Sequence, residues 1–131
     1  MKGFSLIEVV VVMALIALTL TLAGPRIGAG LGRLELERSR QSVRNFIKIG
    51  RVQAERADQP YYVVIDRKQD LLRLLDPEMK IIRQEQLPSS IQIDLDSNAA
   101  FAGLAISPSG IVRGNPIRLR GRAGELMVEV Q

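Results

Sequence analysis

Residues 4–23 read FSLIEVVVVMALIALTLTLA, and the properties of this stretch decide how the rest of the chain can fold. It contains a single charged residue, Glu8. A helix rises about 1.5 Å per residue, so twenty residues cover roughly 30 Å, the thickness of the hydrocarbon core of a bilayer. Backbone polar groups in lipid must bond to one another within the segment, which leaves a helix as the expected structure. The sequence therefore predicts a transmembrane or assembly helix over residues 4–24.

Three interpretations of this stretch compete. A cleaved secretory signal peptide has a basic start and an apolar core of about 7–15 residues, whereas this core is longer and contains Glu8 near its start. An ordinary membrane anchor has little use for that acid, because a carboxylate in an apolar span costs on the order of 2–3 kcal/mol. A helix that lies in lipid first and later packs against similar helices can use Glu8, since the α-amino group of a neighbouring chain could pair with it. We favour the third interpretation.

Residues 2–8 read KGFSLIE, and together with the apolar run behind them they resemble the start of type IV pilins and type II secretion pseudopilins. The resemblance implies that a prepilin peptidase cleaves the chain after Gly3, so that residues 1–3 form a leader. It further implies that Phe4, the new N-terminus, is N-methylated. It assigns to Glu8 the role of assembly residue, which neutralises the amino group of Phe4 on a neighbouring subunit.

Gly24 and Pro25 resemble the helix-weakening element that pilins carry at the end of the apolar segment. A proline removes one helical hydrogen bond and crowds the preceding turn, so we expect a bend or local unwinding near Leu20–Thr21. Three glycines follow on alternate residues at positions 28, 30 and 32, and each costs up to about 1 kcal/mol of helix stability. We therefore predict a hinge at Gly24 and Pro25, close to the membrane surface.

Residues 25–57 are predicted to contain this hinge and then an amphipathic helix. Apolar and small side chains recur at spacings of three and four, which is the pattern of a helix with one buried face. The helix should end before Pro60, because the residue before a proline is biased out of the helical region. The predicted buried face consists of Leu31, Leu34, Val43, Phe46, Ile47, Gly50 and Ala54.

Residues 58–131 read as short strands separated by polar turns. The last two strands are expected to form an antiparallel pair across residues 121–124. A long helix followed by a run of strands predicts an α+β fold, in which a small antiparallel β-sheet packs on the C-terminal half of the helix. The predicted strands cover residues 61–66, 71–76, 80–83, 91–95, 104–107, 117–120 and 126–130.

The composition argues against an enzyme. The chain has no cysteine and no histidine, which excludes disulfides, thiolate metal sites and the commonest general base. Asp94, Asp96 and Asn98 have the spacing that begins a calcium loop, but Ala99 stands where the loop requires glycine, so no metal site is predicted. We also expect no cofactor. The net charge of +4 is compatible with binding to an anionic lipid surface or to nucleic acid, but it requires neither partner.

Three further segments resemble the H-class minor pseudopilins and their type IV minor-pilin relatives. They are residues 51–55 (RVQAE), 106–110 (ISPSG) and 116–119 (PIRL). The resemblance implies a structural subunit of a short periplasmic pseudopilus that helps folded proteins cross the outer membrane. It implies a single pass through the bacterial inner membrane, with residues 58–131 in the periplasm. The implied partners are other pseudopilins or pilins, the prepilin peptidase, inner-membrane lipid and secreted proteins.

An alternative function is that of a type IV minor pilin in pilus assembly or DNA uptake. If the strand through Arg118 runs on, Arg118, Arg120 and Arg122 share one face of it, where they could contact phosphates. Edge strands often carry such charges only as protection against aggregation, and no aromatic residue for base stacking lies nearby. DNA is therefore a partner only in this alternative.

Overall fold

A long helix near the N-terminus carries the rest of the fold. A computed structural model of the chain describes residues 3–95 and 103–130, with all side chains in these ranges except those of residues 23–27 and 29. Helix α1 spans Leu6–Ala57. It ends at Asp58, which adopts a left-handed conformation with φ 50°, and Gln59 donates its backbone N–H to the carbonyl of Ala54 at 3.2 Å. In the described part of the chain, no helix combines the length and the apolarity needed to cross a membrane.

Within residues 3–95 and 103–130, eight strands follow α1 and form two antiparallel sheets. The larger sheet has the order β3-β2-β1-β5-β6, and the smaller one has the order β4-β7-β8. The α+β fold with antiparallel strands behind a long helix is thus confirmed, although the strands form two sheets where we expected one. The strands are β1 (Tyr61–Asp66), β2 (Leu71–Leu75), β3 (Ile81–Gln86), β4 (Gln92–Leu95), β5 (Gly103–Ile106), β6 (Val112–Gly114), β7 (Ile117–Gly121) and β8 (Gly124–Val128).

The predicted strands agree with the observed ones to within a few residues, with one omission. Strands β7 and β8 pair across a two-residue turn, with Gly121 opposite Gly124, as expected for the closing hairpin. The sequence did not predict β6, which has only three residues and pairs with β5. Such a short edge strand has too few residues to show an alternating pattern, which explains the omission.

The core lies between the C-terminal half of α1 and the inner faces of the two sheets. Phe46 is the largest fully buried side chain, and Val43, Ile47 and Ala54 are buried with it, as predicted. From the two sheets, the core receives Val63, Leu72, Leu74, Leu104, Ile106, Ile117, Leu119 and Val128.

The buried face of α1 begins at Leu36, and the prediction for Leu31 and Leu34 is wrong. Leu36 is buried, whereas Leu31 is 62% exposed and Leu34 is 48% exposed. At 3.6 residues per turn, the seven residues from Leu36 to Val43 bring both side chains to nearly the same side of the helix. The nine residues from Leu34 to Val43 place Leu34 about 180° away, on the side that faces away from the sheets.

Gly50 allows the helix to approach the larger sheet closely. A Cβ atom at this position would lie 2.6 Å from Cδ1 of Ile106 and 3.1 Å from Cδ1 of Leu74. Both of these side chains are fully buried. The glycine therefore makes room for two core side chains, at the usual cost of up to about 1 kcal/mol in helix propensity.

This close contact predicts a coupling between Gly50 and Ile106. Gly50→Ala should destabilise the wild-type chain by up to about 2 kcal/mol, since overpacking costs about 1–3 kcal/mol and exceeds the gain in helix propensity. Ile106→Val removes the obstructing Cδ1, so in that background Gly50→Ala should become neutral or stabilising. Denaturant unfolding of the four proteins in detergent measures the coupling, expected at about 1–2 kcal/mol. Additive effects of the two substitutions would contradict the contact.

Candidate assembly site

The predicted cleavage site lies in an accessible, non-helical segment before the helix. Ser5 has φ −68° and ψ 141° and precedes the first helical residue, Leu6. A Cβ atom added at Gly3 would find no atom within 4 Å, and Phe4 is 83% exposed. A peptidase needs an extended backbone that it can approach from the side. The Gly3–Phe4 bond lies outside the helix, close to the extended Ser5 and in an accessible position, and its cleavage remains a prediction.

Glu8 lies in the first turn of α1, one helical turn after Phe4. The backbone N–H of Glu8 donates to the carbonyl of Ser5 at 3.0 Å, which closes this first turn. An acidic residue at this position is favoured by the partial positive charge of the helix N-terminus. The aliphatic part of the Glu8 side chain borders a shallow groove on the helix surface that is otherwise formed by Phe4, Val9, Val12, Met13 and Ile16.

The surroundings of Glu8 indicate which kind of group could pair with its carboxylate in an assembly. The other residues that line the groove are apolar, so the acid borders an apolar surface in this chain. When a second helix covers the groove, the carboxylate loses water and needs a cationic partner, because an unpaired buried charge is very unfavourable. An α-amino group at the end of a neighbouring helix has the required charge. The predicted pairing of Glu8 with Phe4 of another subunit is compatible with this geometry.

The apolar half of α1 has no packing partner within the described chain. Thirteen large apolar side chains between residues 4 and 22 are exposed, and they point to all sides of the helix: Phe4, Leu6, Ile7, Val9, Val10, Val11, Val12, Met13, Leu15, Ile16, Leu18, Leu20 and Leu22. At about 1.5–3 kcal/mol for each side chain, burying them would release roughly 20–40 kcal/mol. That exceeds the usual stability of a whole domain, so this surface must be covered by lipid or by other helices.

The predicted hinge at Gly24 and Pro25 lies inside a continuous helix. The backbone is helical throughout α1, and the local unwinding that we expected near Leu20–Thr21 is absent. Pro25 removes only one hydrogen bond, that to the carbonyl of Thr21, and the neighbouring turns keep their geometry. The hydroxyl of Thr21 donates to the carbonyl of Leu18 at 2.8 Å. The function of Gly24 and Pro25 as a hinge stays a prediction.

The arginines near the C-terminus do not form a row of three. Strand β7 ends at Gly121, so Arg118 and Arg120 share its outer face while Arg122 lies in the turn to β8. Nε of Arg120 donates to Oε1 of Glu125 at 2.7 Å.

Acidic residues border both arginines of the strand. Nη2 of Arg120 lies 3.8 Å from Oδ2 of Asp94, and Arg118 is directly opposite Asp94 in the neighbouring strand β4. These carboxylates offset the positive charge on this face. Nucleic-acid contact by Arg118, Arg120 and Arg122 therefore gains no support from the geometry and stays a prediction. Asp96 and Asn98, the other members of the partial calcium pattern, lie outside the described residues.

Comparison with known proteins agrees with this description. Residues 1–24 match the family described as the prokaryotic N-terminal methylation motif. A prepilin-type N-terminus in front of an α+β domain of antiparallel sheets supports the resemblance to type IV pilin-like proteins.

Among solved structures, the chain resembles the minor pseudopilin EpsH from the Type 2 Secretion System of Vibrio cholerae. The TM-score is 0.55 at 20% sequence identity, over 67% of this chain and 79% of that chain. A search of curated proteins by sequence finds no match. Together these findings support the resemblance to type IV pilin-like proteins, with the fold of a minor pseudopilin.

Proposed function

We propose that the chain is a minor pseudopilin, a structural subunit of a type II secretion pseudopilus that helps folded proteins leave the cell. The observation that carries the proposal is the uncovered apolar surface of residues 4–22 on the same helix whose other half holds the folded domain. A surface of this size demands a hydrophobic partner at every stage of the protein's life. Lipid can cover it before assembly, and the corresponding helices of other subunits can cover it in the filament.

In this proposal the precursor enters the bacterial inner membrane with its short N-terminus in the cytoplasm and its β-domain in the periplasm. Lys2 supports this orientation, since basic residues next to a span tend to stay on the cytoplasmic side. Prepilin peptidase then cleaves after Gly3 and Phe4 is methylated. The folded domain supplies the surface that is specific to this subunit, and α1 supplies the helix that packs against the helices of other subunits. The chain acts as a structural subunit and not as an enzyme.

The choice of a secretion pseudopilus over a type IV pilus is supported by the likeness of the fold to EpsH. EpsH is a minor pseudopilin of a type II secretion system, and the likeness extends over most of its chain. The competing DNA-uptake function would require positive charge at the C-terminal arginines, and there Asp94 and Glu125 offset it.

The intact mass of the membrane-extracted protein tests the proposal. We expect the mature protein to lack residues 1–3 and to carry one added methyl group. Gly3→Leu should leave most of the protein with its leader, because a large side chain blocks the close approach that glycine allows. Ser5→Ala is the matched control, since the Ser5 side chain makes no capping hydrogen bond and cleavage should continue. A functional protein that retains its leader would contradict the proposal.

A further inference from the structure

Two loops of the β-domain contact α1 at the point where the domain begins. A Cβ atom at Gly32 would lie 3.5 Å from Cβ of Ala123 and 3.9 Å from Cβ of Arg122, so the β7–β8 turn rests on the helix there. The hydroxyl of Ser90, in the loop between β3 and β4, donates to Oε1 of Glu35 at 2.7 Å. These contacts fix the end of the domain that faces the apolar segment of residues 4–22.

Four exposed side chains surround this end of the domain, and we call them the collar: Leu31, Arg33, Leu34 and Arg122. Neither Arg33 nor Arg122 forms a salt bridge with another residue in the described ranges. Viewed along the helix, Arg33 lies about 100° from Gly32 and Leu34 about 200° from it. The turn with Arg122 lies over Gly32 itself. Cationic and apolar groups therefore occur on different sides of the same level of α1.

The collar lies at a height where lipid headgroups are within reach. If residues 4–23 fill a hydrocarbon core of about 30 Å, Arg33 is about 15 Å beyond its edge. The headgroup layer adds roughly 5–8 Å on each side, so about 7–10 Å separates the backbone of Arg33 from the outer edge of the headgroups. Helical side chains lean toward the N-terminus, which here means toward the lipid. This distance from Arg33 to the headgroups is comparable to the Debye length of about 8 Å at physiological ionic strength, so salt screens the attraction only in part.

We propose that, before assembly, the collar binds the phosphate groups of anionic phospholipids and holds the β-domain down on the membrane surface. This inference rests on the membrane insertion in the proposed function. The unpaired guanidinium groups of Arg33 and Arg122 contact the phosphates. Leu31 and Leu34, which are 62% and 48% exposed and line one groove with Pro88, add apolar surface at the same level of the helix. Binding fixes the orientation of the domain and presents the subunit to the growing filament in one pose.

Charge and position along the helix favour lipid over a neighbouring protein as the occupant. The collar begins at Leu31, about 12 Å along α1 from residue 23, so the surface of a bilayer that covers residues 4–23 lies next to it. Its two charges are both positive, which matches an anionic leaflet. A protein partner would have to cover residues on several sides of the helix at once, whereas a membrane surface surrounds the helix by its nature.

The experiment uses the full chain in nanodiscs of phosphatidylcholine, with or without phosphatidylglycerol. The chain has no native cysteine, so Ser89→Cys, on an exposed loop residue beside the collar, accepts a single fluorophore. Lipids with a spin label on the headgroup quench this fluorophore when the domain lies on the membrane. The fraction quenched gives the ratio of docked to undocked domain. A second protein with Met13→Cys reports insertion of α1 through quenching by lipids labelled in the acyl chain.

The expected result is more quenching at Ser89→Cys with phosphatidylglycerol, with a loss as salt is added. Arg33→Gln and Arg122→Gln should each lower the docked-to-undocked ratio roughly fivefold. Arg56→Gln removes the same charge from an exposed position about 35 Å farther along α1, and it should have no effect.

Three outcomes would overturn the inference. If Met13→Cys is quenched while Ser89→Cys responds equally to both lipids, α1 inserts as proposed but the collar does not bind anionic lipid. If shielding of Ser89→Cys requires other filament subunits, the occupant is a protein. If Met13→Cys is not quenched, membrane insertion fails and the collar proposal fails with it.

Discussion

Glu8→Ala should insert into the membrane and be cleaved like the wild type, yet be absent from the filament. Removal of the carboxylate from the apolar segment makes insertion easier by on the order of 2–3 kcal/mol. In the assembled bundle the same substitution leaves the amino group of a neighbouring Phe4 without its partner. Loss of one member of a buried charge pair costs about 3–5 kcal/mol, which corresponds to a hundredfold or greater loss of incorporation.

The measurement compares the amount of subunit in purified filaments with the amount in the membrane fraction. Thr19→Ala is the control in the same segment, because the hydroxyl of Thr19 bonds to the carbonyl of Ile16 in its own helix at 2.8 Å. That variant should enter filaments normally. Filaments with a normal content of Glu8→Ala would show that Glu8 has no pairing function and would remove the assembly site from the proposed function.

Phe46→Ala should have the largest effect on the stability of the β-domain. Phe46 has no exposed surface and occupies the centre of the contact between α1 and the sheets. Truncation of a buried phenylalanine to alanine costs about 3–5 kcal/mol, through lost burial and the cavity that remains. Domains of this size have a free energy of unfolding of about 5–15 kcal/mol, so the variant should lose a large part of its stability.

Urea unfolding of the full chain in detergent, followed by circular dichroism, measures the loss for Phe46→Ala as a lower midpoint. Val52→Ala, on the same helix but 37% exposed, is the control and should change the stability by less than about 1 kcal/mol. Leader cleavage of Phe46→Ala should be normal, since the cleavage site lies at the other end of α1. An unchanged unfolding midpoint would mean that α1 does not pack on the sheets as described.

The N-terminal site could be predicted from sequence because its chemistry is local. Gly3, Phe4 and Glu8 lie within one short stretch, and their meaning depends on their spacing and on the apolar run behind them. The buried face of α1 was predictable from Val43 onward for the same reason, since helical periodicity is a local property. The error at Leu31 and Leu34 came from extending one helical face across the nine residues between Leu34 and Val43, which are not a multiple of the helical repeat. Their angular positions relative to Val43 place them on other sides of the helix.

The arrangement of the strands could not be derived in this way. Strand β1 lies between β2 and β5, and the partner β5 is separated from it by much of the domain, so no local pattern specifies the pairing. The pairing of Arg120 with Glu125 follows from a two-residue turn and was within reach of sequence reasoning. The proximity of Asp94 to Arg120 depends on the neighbouring strand β4, and only the tertiary fold shows that it offsets the arginine charge.

Because α1 is unbroken, the number of residues between its two ends determines the direction in which the β-domain points. Glu8 and Leu36 belong to one rod, so the number of residues between them fixes the azimuth of the β-domain around the filament axis. Each residue inserted or deleted in that interval would rotate the domain by about 100° and shift it by about 1.5 Å. Changes of seven residues nearly restore the original azimuth. Insertions and deletions in this interval should therefore impair assembly more than substitutions do.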